Sequence, residues 1–209
     1  MSKIKTVGIV GTGVIGTGWI IRNLAHNKIV HAYDQNKNLK SYVLKEIKRT
    51  SKSIKKLFGK KILIKNLKFF NSLEKALVNV DFVQESVLEN YKVKTDLIHK
   101  ISKYVKSDII ISSSSSGLLP SKIFSKSKNP QRGIIGHPFN PAYLLPAVEI
   151  VPGKKTTKKF LLDANKYYKS ISMKPIMLKK ELPGYLSDRL QEALWREGLH
   201  IINENYATT

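Results

Sequence analysis

Apolar residues along the chain fall into short runs of β type separated by stretches with helical spacing. The runs are Lys5 to Val10, Ile29 to Asp34, Leu67 to Phe70, Asp81 to Gln84 and Asp108 to Ile111. Between them, helices are predicted from Val14 to about His26, over Leu39 to Phe58, over Ser72 to Val78 and over Val93 to Val105. Leu39, Val43, Ile47 and Ile54 share one face of the second helix, and Val93, Leu97, Ile98, Ile101 and Val105 form a stripe on the fourth. Ser72 has the residue type and position of an N-cap. Further along, Ile134-Ile135 and Ala147 to Val151 are strand candidates around a Pro-rich loop. Lys158 to Ser170 reads as a helix and Lys174 to Lys179 as a last strand. This alternation predicts an α/β fold, a doubly wound and mostly parallel sheet of Rossmann type. After Leu182-Pro183-Gly184 the pattern changes to one long helix, Tyr185 to Asn203, with Leu186, Leu190, Leu194, Ile201 and Ile202 on one side. A lone helix makes no core. The expected division is therefore residues 1–182 as the α/β domain and 183–209 as the start of an incomplete all-α C-terminal domain.

Composition narrows the function classes. With 42% hydrophobic and 9% aromatic residues among 209, the chain is no disordered polycation, although 37 basic residues against 15 acidic give a formal charge of +22. There are no cysteines, so disulfides and cysteine-ligated metals are excluded, and no metal site is expected. No uncharged apolar run approaches the roughly 18 residues of a membrane span. Met1 to Val10 runs straight into a strand and a glycine turn, unlike a signal peptide, so a cytoplasmic location is expected. Only five of the basic residues are Arg, whereas surfaces that read bases favour Arg's planar fork. Lys37 to Lys68 holds twelve basic residues against Glu46 alone, and is read as a solvated lysine-rich helix face. No nucleic-acid partner is expected; a basic nucleic-acid-binding module, the alternative, would show affinity falling steeply with salt.

Three segments carry candidate chemistry. Gly11-x-Gly13-x-x-Gly16 follows a strand and, through Val14 and Ile15, opens a helix, and Asp34 lies 23 positions beyond Gly11 at the end of the next strand. Glycines in that place let a pyrophosphate approach the helix N-terminus. A carboxylate at Asp34 accepts from ribose hydroxyls and repels a 2′-phosphate, so the expected cofactor is NAD rather than NADP. The serine run Ser112 to Ser116 follows a strand at the sheet edge where such folds bind ligands. The third segment, Gly136 to Glu149, sets His137 on a Pro-rich loop with Glu149 twelve residues on, in the following strand. A His–carboxylate pair can take a hydroxyl proton while hydride leaves the carbon. A Ser/His/Glu hydrolase is disfavoured because no G-x-S-x-G elbow is present.

The glycine motif, the Ser113 to Leu118 strand end, Gly136-His137-Pro138-Phe139-Asn140-Pro141 and Pro183-Gly184-Tyr185 occur in this order. Together they resemble the 3-hydroxyacyl-CoA dehydrogenase superfamily. Ser116 to Pro120, His137 to Pro146 and Asp188 to Glu197 bring the chain near the superfamily's carnitine-oxidising branch. The resemblance implies NAD-dependent oxidation of a small 3-hydroxy acid, L-carnitine to 3-dehydrocarnitine, with His137 as general base, Glu149 as its orienting partner and Ser116 bonding the reacting oxygen. It implies that Gly11, Gly13, Val14, Ile15, Gly16, Asp34, Glu85 and Ser116 contact the cofactor, Glu85 on the nicotinamide side. It also implies that Asn140, Tyr143 and Asp188 meet substrate. Asp188 stands where the acyl-CoA enzymes carry Asn, which suits a trimethylammonium group; Tyr143, Phe139 and Trp195 are candidates for an aromatic wall around it. The resemblance further implies a longer helical domain that closes the cleft and forms a homodimer. The readings kept beside it are oxidation of a 3-hydroxyacyl-CoA and an impaired fragment that only binds NAD.

Overall fold

Thr6–Val10 (β1) is an inner strand of a computed structural model that describes residues 4–209. Met1 to Lys3, where the reading of the N-terminus began, lie outside the described residues. Val14–Ala25 (α1), Ile29–Tyr33 (β2), Leu39–Phe58 (α2) and Leu67–Phe70 (β3) complete the first half. Then come Leu73–Leu77 (α3), Phe82–Glu85 (β4), Tyr91–Tyr104 (α4), Ile110–Ser113 (β5) and Pro120–Ile123 (α5). Gly133–Pro138 (β6), Ala147–Pro152 (β7), Lys158–Ser170 (α6), Lys174–Met177 (β8) and Ser187–Asn203 (α7) follow.

The strands form one sheet in the order β3-β2-β1-β4-β5-β6-β7-β8. All neighbours are parallel except β6 and β7. Residues 139–146 joining those two are too few for a crossover helix, so the chain turns back antiparallel. The order reverses between β1 and β4, and a crevice opens outside the strand ends there.

Alternation along the strands splits the core into two layers. Val7, Ile9, Phe82, Ile110, Ile134 and Ile150 pack under α1, α2 and α6. Val10, Val83, Ile111, Ile135 and Val151 pack under α3, α4 and α5. Val43, Ile47 and Ile54 of α2 are fully covered as predicted, while its lysines stay exposed. That helix stops at Gly59, in the left-handed region at φ 63°, whose N–H returns to the Lys55 carbonyl. The Ser72 cap is also present: its hydroxyl accepts from the Lys75 N–H at 3.4 Å.

Three of the predicted boundaries that change bear on the site. α4 begins two residues early because the Asn90 side chain accepts from the Val93 N–H at 3.1 Å, a cap worth about 1 kcal/mol. β5 is shifted onto Ile110–Ser113, so the first two serines are buried strand residues rather than a loop. α7 begins at Ser187, because Gly184 and Tyr185 have positive φ of 70° and 45° and interrupt the helix. α5 was not anticipated. Among the described residues no helix is long and apolar enough to cross a membrane.

Two buried arginines tie elements together. Arg132 is enclosed beyond the end of α4 and donates to the carbonyls of Ser102, Lys106 and Ile109. Arg22 of α1 donates to the carbonyls of Ala142 and Leu145, each at 3.0 Å, and so pins the β6–β7 loop onto α1. Burial lowers its pKa to about 10.

Candidate active site

The glycine turn is built for close approach. Gly11 has φ 89°, where a side chain would be strained and a β-carbon would lie 2.7 Å from the Ser86 carbonyl. Gly16 is tighter: a β-carbon there would lie 1.8 Å from the Gly11 carbonyl oxygen. Nothing lies within 4 Å of the corresponding point at Gly13. α1 has no side-chain cap and no acidic residue in its first turn, so its N-terminal N–H groups are available to an anion. Val14, the first helical residue, is 59% exposed, and Ile15 is partly covered against the first core layer. Asp34, just after β2, uses Oδ2 to accept from the Thr12 N–H at 2.6 Å and Oδ1 to accept from the Asn36 N–H at 2.9 Å. The carboxylate therefore also braces the glycine turn. Gly11, Gly13, Asp34, Ser86 and Val87 line a cleft of about 910 Å³ at the strand-order reversal. Open space at Gly13, free N–H groups and the Asp34 carboxylate fit a dinucleotide with an unphosphorylated ribose.

A polar network leads away from this cleft. The Ser86 and Ser114 hydroxyls are 2.8 Å apart, and Ser114 also accepts from the Gln84 amide and the Trp19 indole N–H. Glu85 is placed differently from the expectation. It is fully buried, its Oε1 paired with Lys94 at 2.8 Å and its Oε2 accepting from the Ser113 hydroxyl at 2.5 Å. Sequence reasoning missed Lys94 and Glu89. Glu89 accepts from the Ser115 hydroxyl and from the N–H groups of Ser116 and Gly117, and so holds the loop after β5. Burial works to raise the Glu89 pKa, but Ser115, Lys94 and the two N–H groups bring it below the usual carboxylate value. The available signal was Lys94 itself, on the same helical face as Ile98 and Ile101. A lysine at a buried position requires a paired carboxylate.

His137 corrects its own prediction: it lies in β6, not in the loop, directly opposite Glu149 of β7 in the antiparallel ladder. Cross-strand partners share a face, so register alone brings the two together. His137 Nδ1 is 2.8 Å from Glu149 Oε2, with the histidine side chain 13% exposed and the carboxylate 1%. Burial pushes the Glu149 pKa up, but hydrogen bonds from His137, from the Ser187 hydroxyl and from the N–H groups of Ser187 and Leu186 outweigh it and hold the group ionised. An ionised carboxylate only accepts, so Nδ1 carries the proton and Nε2 is left as the base.

The remaining predicted residues divide. The Tyr185 ring lies 5.6 Å from that of His137, its hydroxyl donating to the Leu118 carbonyl at 2.7 Å, which closes the path from the serine loop to the dyad. Phe139 lies 6.2 Å from His137. Asn140 is exposed in the loop beyond β6, ahead of a cis Pro141. Tyr143 instead packs against the first core layer, its hydroxyl 3.4 Å from Arg49 of α2. That places it against a resident cation. Asp188, Glu192 and Trp195 lie along one open face of α7, a helix with no buried residue, where Trp195 is 65% exposed.

Residues 6–182 match the family model described as 3-hydroxyacyl-CoA dehydrogenase, NAD binding domain. The chain is similar to L-carnitine dehydrogenase of Pseudomonas putida, 43% identical over all of this chain and 65% of that protein. It is also 43% identical to L-carnitine dehydrogenase of Oceanobacillus iheyensis, over 99% of this chain and 67% of that one. It thus spans about two thirds of these relatives. Among solved structures, a diketoreductase superimposes with a TM-score of 0.92 at 24% identity, over 99% of this chain and 75% of that one. The 3-hydroxybutyryl-CoA dehydrogenase of Escherichia coli gives 0.90 at 22% identity, over 98% of this chain and 44% of that one. Those likenesses concern the fold.

Proposed function

This chain belongs to the 3-hydroxyacyl-CoA dehydrogenase family, and from that premise we propose that it oxidises a small 3-hydroxy acid, L-carnitine to 3-dehydrocarnitine, with NAD. The observation that carries the reading is the His137–Glu149 pair at 2.8 Å, at the same sheet edge as the dinucleotide-type cleft. Bound NAD supplies the hydride acceptor. His137 Nε2 takes the hydroxyl proton as the carbinol carbon loses hydride, and the fixed charge of Glu149 stabilises the imidazolium. Ser116, on the loop that Glu89 braces, bonds the reacting oxygen. Gly11, Gly13 and the first turn of α1 hold the pyrophosphate, and Asp34 holds the ribose.

The choice of carnitine rests on the names of the relatives and on charge. Asp188 and Glu192 share one open face of α7 with Trp195, residue types that attract a trimethylammonium group and repel the phosphates of CoA. Asn140 completes the substrate side. The same reading treats residues 183–209 as belonging to the substrate and dimerisation side, separate from the cofactor domain of residues 1–182.

The test is NADH formation with L-carnitine and, separately, with 3-hydroxybutyryl-CoA. Turnover with carnitine is expected; turnover with the CoA ester alone overturns the proposal in favour of an acyl-CoA enzyme. Replacing Asp34 by Ala is expected to narrow the preference for NAD over NADP by about tenfold, the equivalent of about 1.4 kcal/mol. The ratio of the two dissociation constants from calorimetry is the proper readout. Both absolute affinities also fall, because Thr12 loses the acceptor that braces the turn.

A further inference from the structure

Ser187 reaches the dyad from outside the two strands that carry it. Its hydroxyl donates to Glu149 Oε2 at 2.6 Å, and His137 Nδ1 meets that same oxygen at 2.8 Å. The other oxygen accepts from the N–H groups of Leu186 at 2.9 Å and Ser187 at 3.0 Å. Three of the four donors to this fully buried carboxylate thus come from the start of α7, whose N-terminal dipole favours a negative charge as well. Glu149 stays ionised and satisfied whether His137 is protonated or not. The four donors also divide its charge among themselves.

We infer that Ser187 is a positioning residue that sets how strongly Glu149 holds the His137 ring, and through it how readily that ring takes a proton. The functional meaning rests on the dehydrogenase reading; the interaction itself does not. A hydroxyl bonded to the oxygen that faces the imidazole draws electron density away from it. Without the hydroxyl, Oε2 serves His137 alone, the imidazolium is better stabilised, and the ring titrates at higher pH. Glu149 and Tyr185 are the titratable groups in contact with His137. Burial pushes the Tyr185 hydroxyl well up, so it stays neutral, and Glu89 and Tyr91 act on that ring in turn. Asp188 and Arg189 follow Ser187 in the first turn of α7.

The experiment is an NMR titration of the five histidines in the full chain, with His137→Gln identifying the His137 signal. Ser187→Ala is expected to raise the His137 pKa by about half a unit, and Ser187→Thr, which keeps the hydroxyl, to restore it. An unchanged or lowered pKa in Ser187→Ala overturns the inference, as does a Ser187→Thr chain that titrates like Ser187→Ala. Neither NAD nor substrate is needed. Failure here leaves the dehydrogenase proposal standing, and absence of turnover leaves this one standing.

Discussion

Replacing His137 by Gln is expected to lower carnitine-dependent NADH formation by about 10²–10⁴-fold while leaving NAD affinity unchanged. Gln is close to His in size and carries an amide N–H that can donate, and the buried carboxylate in any case keeps the Ser187 hydroxyl and the N–H groups of Leu186 and Ser187 as partners. What the variant lacks is a group that takes a proton at the position of Nε2. The loss therefore falls on kcat rather than on cofactor binding, because the cleft lined by Gly11, Gly13 and Asp34 contains no atom of His137. Steady-state kinetics paired with NAD calorimetry separates the two quantities. An unchanged kcat would remove His137 from the chemistry.

A methyl group at Gly16 is expected to eliminate NAD binding and lower stability by about 3 kcal/mol or more. The added carbon would lie 1.8 Å from the Gly11 carbonyl oxygen, and the obstacle is backbone, not a side chain able to swing aside. Relief requires α1 to move away from β1, which takes the N–H groups of its first turn out of reach of a pyrophosphate. Trp19, Ile20 and Leu24 on the same helix are fully buried, so displacement also disturbs the first core layer. Thermal unfolding and calorimetry of Gly16→Ala test both parts. Substitution at Gly13, where space is open, should spare stability and affect binding alone.

The two replacements differ in how far the sequence foretold them. The glycine turn, Asp34 and the α2 limits were legible because each is marked by particular residue types at a fixed spacing in the sequence. The His137–Glu149 pair was legible because its partners sit at the two ends of one short connection. The end of β5 was not. The serine run was expected to follow the strand, yet Ser112 is buried against the Tyr168 hydroxyl at 2.8 Å and Ser113 against Glu85. Those partners lie 56 and 28 residues away in sequence, and local propensity carries no trace of them. Tyr143, expected to meet substrate, is set by the fold beside Arg49, a contact 94 residues apart in sequence. Lys94 and Glu89 were missed because a lysine in a lysine-rich chain attracts no notice until its helical phase is checked.

The antiparallel pairing of β6 and β7 has an evolutionary consequence. The distance between base and carboxylate is set by the ladder, in which His137 and Glu149 stand opposite each other. Asn140, which we propose meets the substrate, belongs to the loop that the ladder closes. Selection can therefore rewrite that loop without loosening the His137–Glu149 pair. A substitution within β6 or β7 that slips the register by one residue abolishes the pair, however well the loop is kept.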